Sequence, residues 1–143
     1  INNYTSVKRI LLFTAVIFSL FTISSCATNK IAFQTSTVVP AATGNVKVKK
    51  DNNNNYRINL SIKRLASPSR LSPAKDVYVV WMNSDGNSAK NIGQIKTSSS
   101  LLSKTLKSSL NTVSTNKPIS FFITAENDSN IQYPSGEVVL RTQ

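Results

Sequence analysis

The sequence predicts an all-β protein, a small immunoglobulin-like antiparallel β-sandwich of about six or seven strands. Short segments rich in apolar residues recur from residue 45 onward, and turn-forming residues separate them. No pair of helical segments alternates with these strands, which argues against a doubly wound α/β sheet. The alternation is clearest over residues 56–63, where every second side chain is apolar.

The first predicted strands form a hairpin over residues 45–50 and 56–63. Between them lies an Asp-Asn run, residues 51–55, and these residue types tolerate the left-handed conformations of tight turns. After a Pro- and Ser-containing loop at 66–75, residues 76–83 are apolar on both faces, which predicts a central strand. A turn at 84–87 and a returning strand at 89–96 follow.

The segment 98–115 fits two structures. Leu101, Leu102, Leu106 and Leu110 suit one face of an amphipathic helix, but the many serines weaken that assignment and leave a strand over 103–110 open. Residues 119–126 and 137–142 are predicted strands joined by a polar loop at 127–135.

The amino-terminal segment has the features of a secretory signal. Lys8 and Arg9 precede an uncharged, mostly apolar run over residues 10–23, which is shorter than the roughly 20 residues that a spanning helix needs. The chain begins with Ile1 rather than Met, so we expect its natural start to lie upstream.

The segment Ile23-Ser24-Ser25-Cys26 resembles the lipobox of bacterial lipoproteins. The resemblance implies that the Cys26 sulfur receives diacylglycerol, that a peptidase cuts before it and that the new amine is acylated. The alternatives are an ordinary secretory signal with a chance cysteine, and a transmembrane anchor. Lipoproteins with Asp directly after the cysteine are often held at the inner membrane. Here that residue is Ala27, so the resemblance implies the outer membrane if the bacterium has two membranes.

These features divide the chain into three parts. We expect a signal peptide at 1–25, the lipidated cysteine with a tether at 26–44, and the sandwich at 45–143. The segment 27–44 contains many Thr, Ser and Ala residues and only one charge, Lys30, as flexible tethers do. Val38 and Val39 are apolar enough to dock on the domain.

Residues 45–142 also resemble the extracytoplasmic β-sandwich domain of the anti-sigma-K factor family. The matching motifs are a Tyr-x-x-Trp strand, a Gly turn, a Phe-rich strand ending in Thr-x-Glu, and a Pro-x-Gly segment before a valine-rich strand. They fall at Tyr78 and Trp81, Asp85-Gly86, Phe121 to Glu126, Pro134-Ser135-Gly136, and Val138 to Leu140. The resemblance implies the fold. We do not expect sigma-factor inhibition to carry over, because the predicted signal peptide stands where the family has a transmembrane helix preceded by a cytoplasmic helical domain.

The chain is strongly basic, with a formal net charge of +11. The basic residues are scattered, which is typical of solvated strand faces, and attraction to an anionic membrane or polysaccharide is the alternative. No arginine-rich tract or reading helix is visible, so we expect no nucleic-acid partner.

Few residues suggest chemistry. The chain has no histidine, and its one cysteine lies at the acylation position, so we expect no catalytic residue, metal or cofactor. Two alternatives for a catalytic pair are the serine and lysine residues near 67–75 and the carboxylates Glu126 and Asp128. The same two carboxylates are also an alternative for a calcium site, although the repeated Asp positions of a calcium loop are missing. We interpret Glu126 and Asp128 as marking a solvated loop.

Two aromatic positions are candidates for contacts. Trp81 with Tyr78 suits either a core position or a sugar-stacking platform, and the core position is typical of sandwiches. Tyr133, in the loop before Pro134, is the better candidate for an exposed contact. We therefore expect a non-enzymatic, lipid-anchored structural or binding module with a protein or glycan partner in the envelope. An accessory or sensory subunit of an envelope signalling system is the alternative.

Overall fold

Nine strands make up the described part of the chain, which in this computed structural model comprises residues 28–98 and 106–143. The strands are β1 (Asn29–Ala32), β2 (Thr43–Lys50), β3 (Tyr56–Lys63), β4 (Val77–Ser84), β5 (Asn87–Gln94), β6 (Lys96–Ser98), β7 (Lys107–Ser114), β8 (Pro118–Glu126) and β9 (Glu137–Arg141). A 3-10 helix at Pro68–Arg70 lies in the loop between β3 and β4. This architecture confirms the predicted fold class.

The strands form two antiparallel sheets. The five-stranded sheet has the order β1-β2-β3-β7-β6, and the four-stranded sheet has the order β5-β4-β8-β9. The two sheets are joined at both edges. At one edge a β-bridge links Phe33, after β1, to Thr142, after β9, and at the other edge the chain runs from β5 directly into β6. The two sheets therefore enclose one core.

The predicted hairpin is confirmed almost to the residue. β3 has the predicted bounds, and β2 begins two residues earlier than expected, at Thr43. At the tip, the Asp51 carboxylate accepts hydrogen bonds from the backbone N–H groups of Asn53 and Asn55 at 2.9 and 3.0 Å. Asn54 has a positive φ of 63°, as the Asp-Asn run predicts.

The segment with two open interpretations, residues 98–115, is mostly strand where it is described. β7 covers 107–114, so the helix is wrong for these residues, while 99–105 lie outside the described residues. The strand prevails because all eight β7 residues pair with β3, and Leu110 meets Leu60 on the core side.

The segment expected to be a tether belongs largely to the sandwich. β1 pairs with β2 over Asn29–Ala32, and the Gln34 N–H donates to the Arg141 carbonyl at 2.9 Å. Val39 is buried in the core, and Val38 packs against it, as their apolar side chains allow. The domain thus begins near residue 29 rather than 45. The Thr- and Ser-rich composition concealed a strand whose main contribution is backbone pairing at a sheet edge.

The core lies between the sheets and follows the alternation of the strands. It is built from apolar side chains of both sheets, chiefly Val46, Ile58, Leu60, Ile62, Tyr78, Val80, Met82, Phe121, Ile123, Val139 and Leu140. β4 is central in its sheet, as predicted. Removing this much apolar surface from water is the main stabilising contribution in a chain that has only one cysteine.

Two neighbouring substitutions on β3 test this core. We expect Leu60→Ala to lower the free energy of unfolding by about 3 kcal/mol, because it leaves a cavity between the sheets. Asn59→Ala, on the exposed side of the same strand, should change it by less than about 0.5 kcal/mol. Urea unfolding measures both, and equal effects would contradict the described orientation of β3.

Candidate functional site

The predicted site residues fall in three different places. Ile23, Ser24, Ser25 and Cys26 lie outside the described residues. Tyr133 lies in the loop between β8 and β9 and is 71% exposed, so it is accessible to a partner. Trp81 and Tyr78 are both buried.

Trp81 and Tyr78 do not form a common platform. Tyr78 belongs to the core between the sheets, whereas Trp81, three positions along β4, points to the outer side of the four-stranded sheet. Trp81 is nonetheless fully buried and stacks on Phe122, with ring centroids 6.1 Å apart. The sugar-stacking hypothesis for this pair is therefore wrong.

A hydrogen-bonded chain runs from Trp81 across the outer side of the four-stranded sheet. The Trp81 indole Nε1–H donates to the Thr124 hydroxyl at 2.8 Å, and that hydroxyl donates to Glu126 Oε1 at 2.6 Å. Thr124 and Glu126 are two residues apart on β8, so they share the outer face of the sheet with Trp81. The side-chain polar atoms of Trp81, Thr124 and Glu126 all have hydrogen-bond partners, as burial requires.

Glu126 is the last acceptor in this series of hydrogen bonds, and it holds the loop 127–136 against the sheet. Its carboxylate also accepts hydrogen bonds from Ser135 N–H (3.1 Å), Ser135 hydroxyl (2.8 Å) and Gly136 N–H (2.9 Å). Glu126 is 2% exposed, so its interpretation as part of a solvated loop is wrong. Burial alone would raise the pKa of Glu126, but the hydrogen bonds that its charged form accepts outweigh this and leave the pKa below its ordinary value.

Two further features fix the 127–136 loop. Asn91 lies on β5 opposite Trp81 of β4. Its side-chain amide donates hydrogen bonds to the backbone carbonyls of Ser129 and Ile131, both at 2.9 Å. Gly136 approaches β8 so closely that an added Cβ would lie 1.9 Å from the Ala125 carbonyl oxygen. The loop is thus fastened to both β5 and β8 of the four-stranded sheet.

The carboxylates and serines named as candidates for catalysis make local hydrogen bonds. Both Glu126 oxygens accept hydrogen bonds from Ser135 and Gly136, and Asp128 accepts a hydrogen bond from the Asn130 N–H in its own loop. The Ser67 and Ser69 hydroxyls hydrogen-bond to each other at 2.9 Å. Among residues 28–98 and 106–143, no group of three or more acidic, histidine or cysteine residues could hold a metal ion.

A surface that the sequence did not reveal lies on the other sheet. Strand pairing gathers basic residues that are scattered along the chain onto the outward side of the five-stranded sheet, including Lys47, Lys49 and Arg57. The alternation of β2 and β3 already places their basic residues on the outward side of each strand. That these residues form one surface could be recognised only once the order of the strands was known.

Searches of protein-family models, of curated proteins and of solved structures each found no match to this chain. Within the two described ranges, no helix has the length and apolar character needed to cross a membrane.

Removing the Glu126 carboxylate tests whether it holds the loop. We expect Glu126→Ala to lower the free energy of unfolding at neutral pH by about 2–4 kcal/mol, because the buried Thr124 hydroxyl and the partly buried Ser135 and Gly136 donors lose their acceptor. Glu137→Ala, which removes an exposed carboxylate on β9, is the matched control and should have an effect within about 0.5 kcal/mol.

The same variant gives a signature in pH. The folded-state pKa of Glu126 lies below its ordinary value of 4.5, so its stabilisation is present above that pH and is lost as the pH falls through the folded value. The difference in unfolding free energy between wild type and Glu126→Ala should therefore be constant near neutrality and shrink in acid. A difference that grows in acid would contradict an ionised Glu126.

Proposed function

We propose that this protein is a lipid-anchored β-sandwich of the bacterial cell envelope that acts as a non-enzymatic structural or binding module. The observation that carries the proposal is Cys26, the only cysteine, placed directly after Ile23-Ser24-Ser25 and an apolar run. One acyl chain gives marginal membrane binding, whereas two or more hold a protein stably. With Ala27 after the cysteine, the outer membrane is the proposed location.

The folded domain supports a binding or structural role. Its best-connected buried carboxylate, Glu126, is used to fasten a loop, and the chain contains no histidine to act as a general base. The fixed 127–136 loop presents Tyr133 to solvent, and aromatic side chains are enriched at protein interfaces. A protein or glycan of the envelope is the proposed partner, with the membrane held through the lipid.

The anchor is tested by substituting the acylated residue in cells. We expect Cys26→Ala to abolish palmitate incorporation and to release or mislocalise the protein, because the thioether cannot form. Ser25→Ala keeps a small residue at the neighbouring position and should retain both labelling and membrane fractionation. Palmitate labelling that persists in Cys26→Ala would refute the proposed anchor.

The partner is tested at Tyr133. A photo-crosslinking amino acid at position 133 should give a discrete product in cells, because this side chain projects from a rigid loop. The same probe at Asn53, in the exposed tip of the β2–β3 hairpin, is the control and should not give that product. An inner-membrane signalling protein at position 133 would instead favour the accessory or sensory role.

A further inference from the structure

The outward side of the five-stranded sheet is a continuous basic surface, which we call the basic face. It consists of exposed cationic side chains from four adjacent strands, namely Lys30, Lys47, Lys49, Arg57, Lys63 and Lys107. In the described part of the chain, the outward positions of β1, β2, β3 and β7 hold no Asp or Glu. The closest approach of a carboxylate is at the hairpin tip, where Asp51 Oδ2 lies 4.0 Å from Arg57 Nε.

The register of the sheet places like charges directly opposite one another. Lys30 pairs with Lys47, Lys49 with Arg57, and Lys63 with Lys107. Like charges at opposed positions of an antiparallel pair destabilise a sheet. The pair of Lys30 and Lys47 has this arrangement at the sheet edge, and a negatively charged surface laid against the face would relieve its repulsion.

The carboxylates lie mainly on the other side of the molecule. Five of the six belong to the four-stranded sheet or to the turns and loops beside it, namely Asp76, Asp85, Glu126, Asp128 and Glu137. The sandwich therefore has one basic side and one side that carries most of its acidic groups. This asymmetry orients a protein in an electric field, which a uniform scatter of charge would not do.

The proposed anchor joins the molecule at the edge of this same sheet. β1 is an edge strand of the five-stranded sheet and begins at Asn29, three residues after Cys26. Three residues span at most about 11 Å. This reach is comparable to the Debye length of about 8 Å at physiological salt, so the β1 edge of the basic face, which carries Lys30, can lie within electrostatic range of the bilayer that holds the acyl chains.

We infer that the basic face docks on the anionic phospholipid headgroups of the membrane that carries the acyl anchor. This inference rests on the proposed lipidation of Cys26. The short link keeps the face at high effective concentration near the headgroups, and each Lys or Arg at an anionic surface strengthens binding roughly five-fold. Docking in this orientation directs the four-stranded sheet, and with it Tyr133, away from the bilayer.

Energy transfer from the protein to the bilayer surface tests the orientation. Two variants of the acylated protein are purified from membranes, each with one added cysteine. Asn59→Cys lies at the centre of the basic face and Gln132→Cys in the 127–136 loop, and the added cysteine of each variant is labelled with a donor dye. The protein is placed in vesicles carrying headgroup acceptor dyes, made of phosphatidylcholine alone or with phosphatidylglycerol. We expect phosphatidylglycerol to raise transfer from position 59 but not from position 132, and high salt to reverse the rise.

Two charge variants show whether the face itself is responsible. Lys47→Gln, Lys49→Gln and Arg57→Gln together should lower the ratio of docked to undocked protein on the order of 100-fold. Arg70→Gln, Lys90→Gln and Lys117→Gln remove the same charge from exposed positions outside the face and should leave the transfer unchanged. Equal loss in both variants, or equal transfer from positions 59 and 132 in anionic vesicles, would overturn the inference.

The remaining outcomes separate the anchor, the docking and a competing ligand. A protein that does not float with phosphatidylcholine vesicles lacks the anchor. The same holds if the protein without an added cysteine is labelled by the dye, because Cys26 then has a free thiol. A protein that floats but shows no lipid dependence is anchored without docking. If dextran sulfate changes the signal at position 59 while phosphatidylglycerol does not, the face binds polysaccharide and the lipid inference is wrong.

Discussion

The sandwich depends on covering both sides of β4. Its inner side chains, among them Val80 and Met82, belong to the core between the sheets, and Trp81 on the other side is also fully buried. The Glu126 carboxylate and the Asn91 amide fix that loop by hydrogen bonds to its backbone. A buried charge is tolerated here because several donors surround it, and its low pKa reflects that surrounding. The polar network thus joins Trp81, β8 and the 127–136 loop through hydrogen bonds.

The two sheets have different roles in the proposed function. The four-stranded sheet, with its fixed loop, presents Tyr133 on a rigid support, which is how binding residues are commonly positioned. The five-stranded sheet carries the opposed lysine and arginine pairs and receives the chain from the proposed anchor through β1. A module with one membrane-facing side and one partner-facing side follows from these placements as our proposal. It needs no catalytic residue, and none is assigned.

The sequence predicted those elements whose alternation is regular. β3 was predictable to the residue because Ile58, Leu60 and Ile62 repeat with the period of a strand. β1 was missed because a sheet edge needs backbone pairing more than apolar side chains, and Asn29 and Lys30 give no hydrophobic signal. Glu126 was misjudged because a carboxylate at a strand end ordinarily faces water, and its donors at 135 and 136 come from a loop whose path the sequence does not specify. The basic face likewise required the register between strands that are distant in the chain.

The proposed anchor remains the claim on which membrane attachment and orientation both depend. Intact-mass spectrometry of the protein isolated from its native membrane tests it directly. The account predicts a chain that begins at Cys26 and carries a diacylglycerol thioether on that sulfur, with a further acyl group on the new amine. A chain that retains the residues before Cys26 and has a free thiol would contradict it.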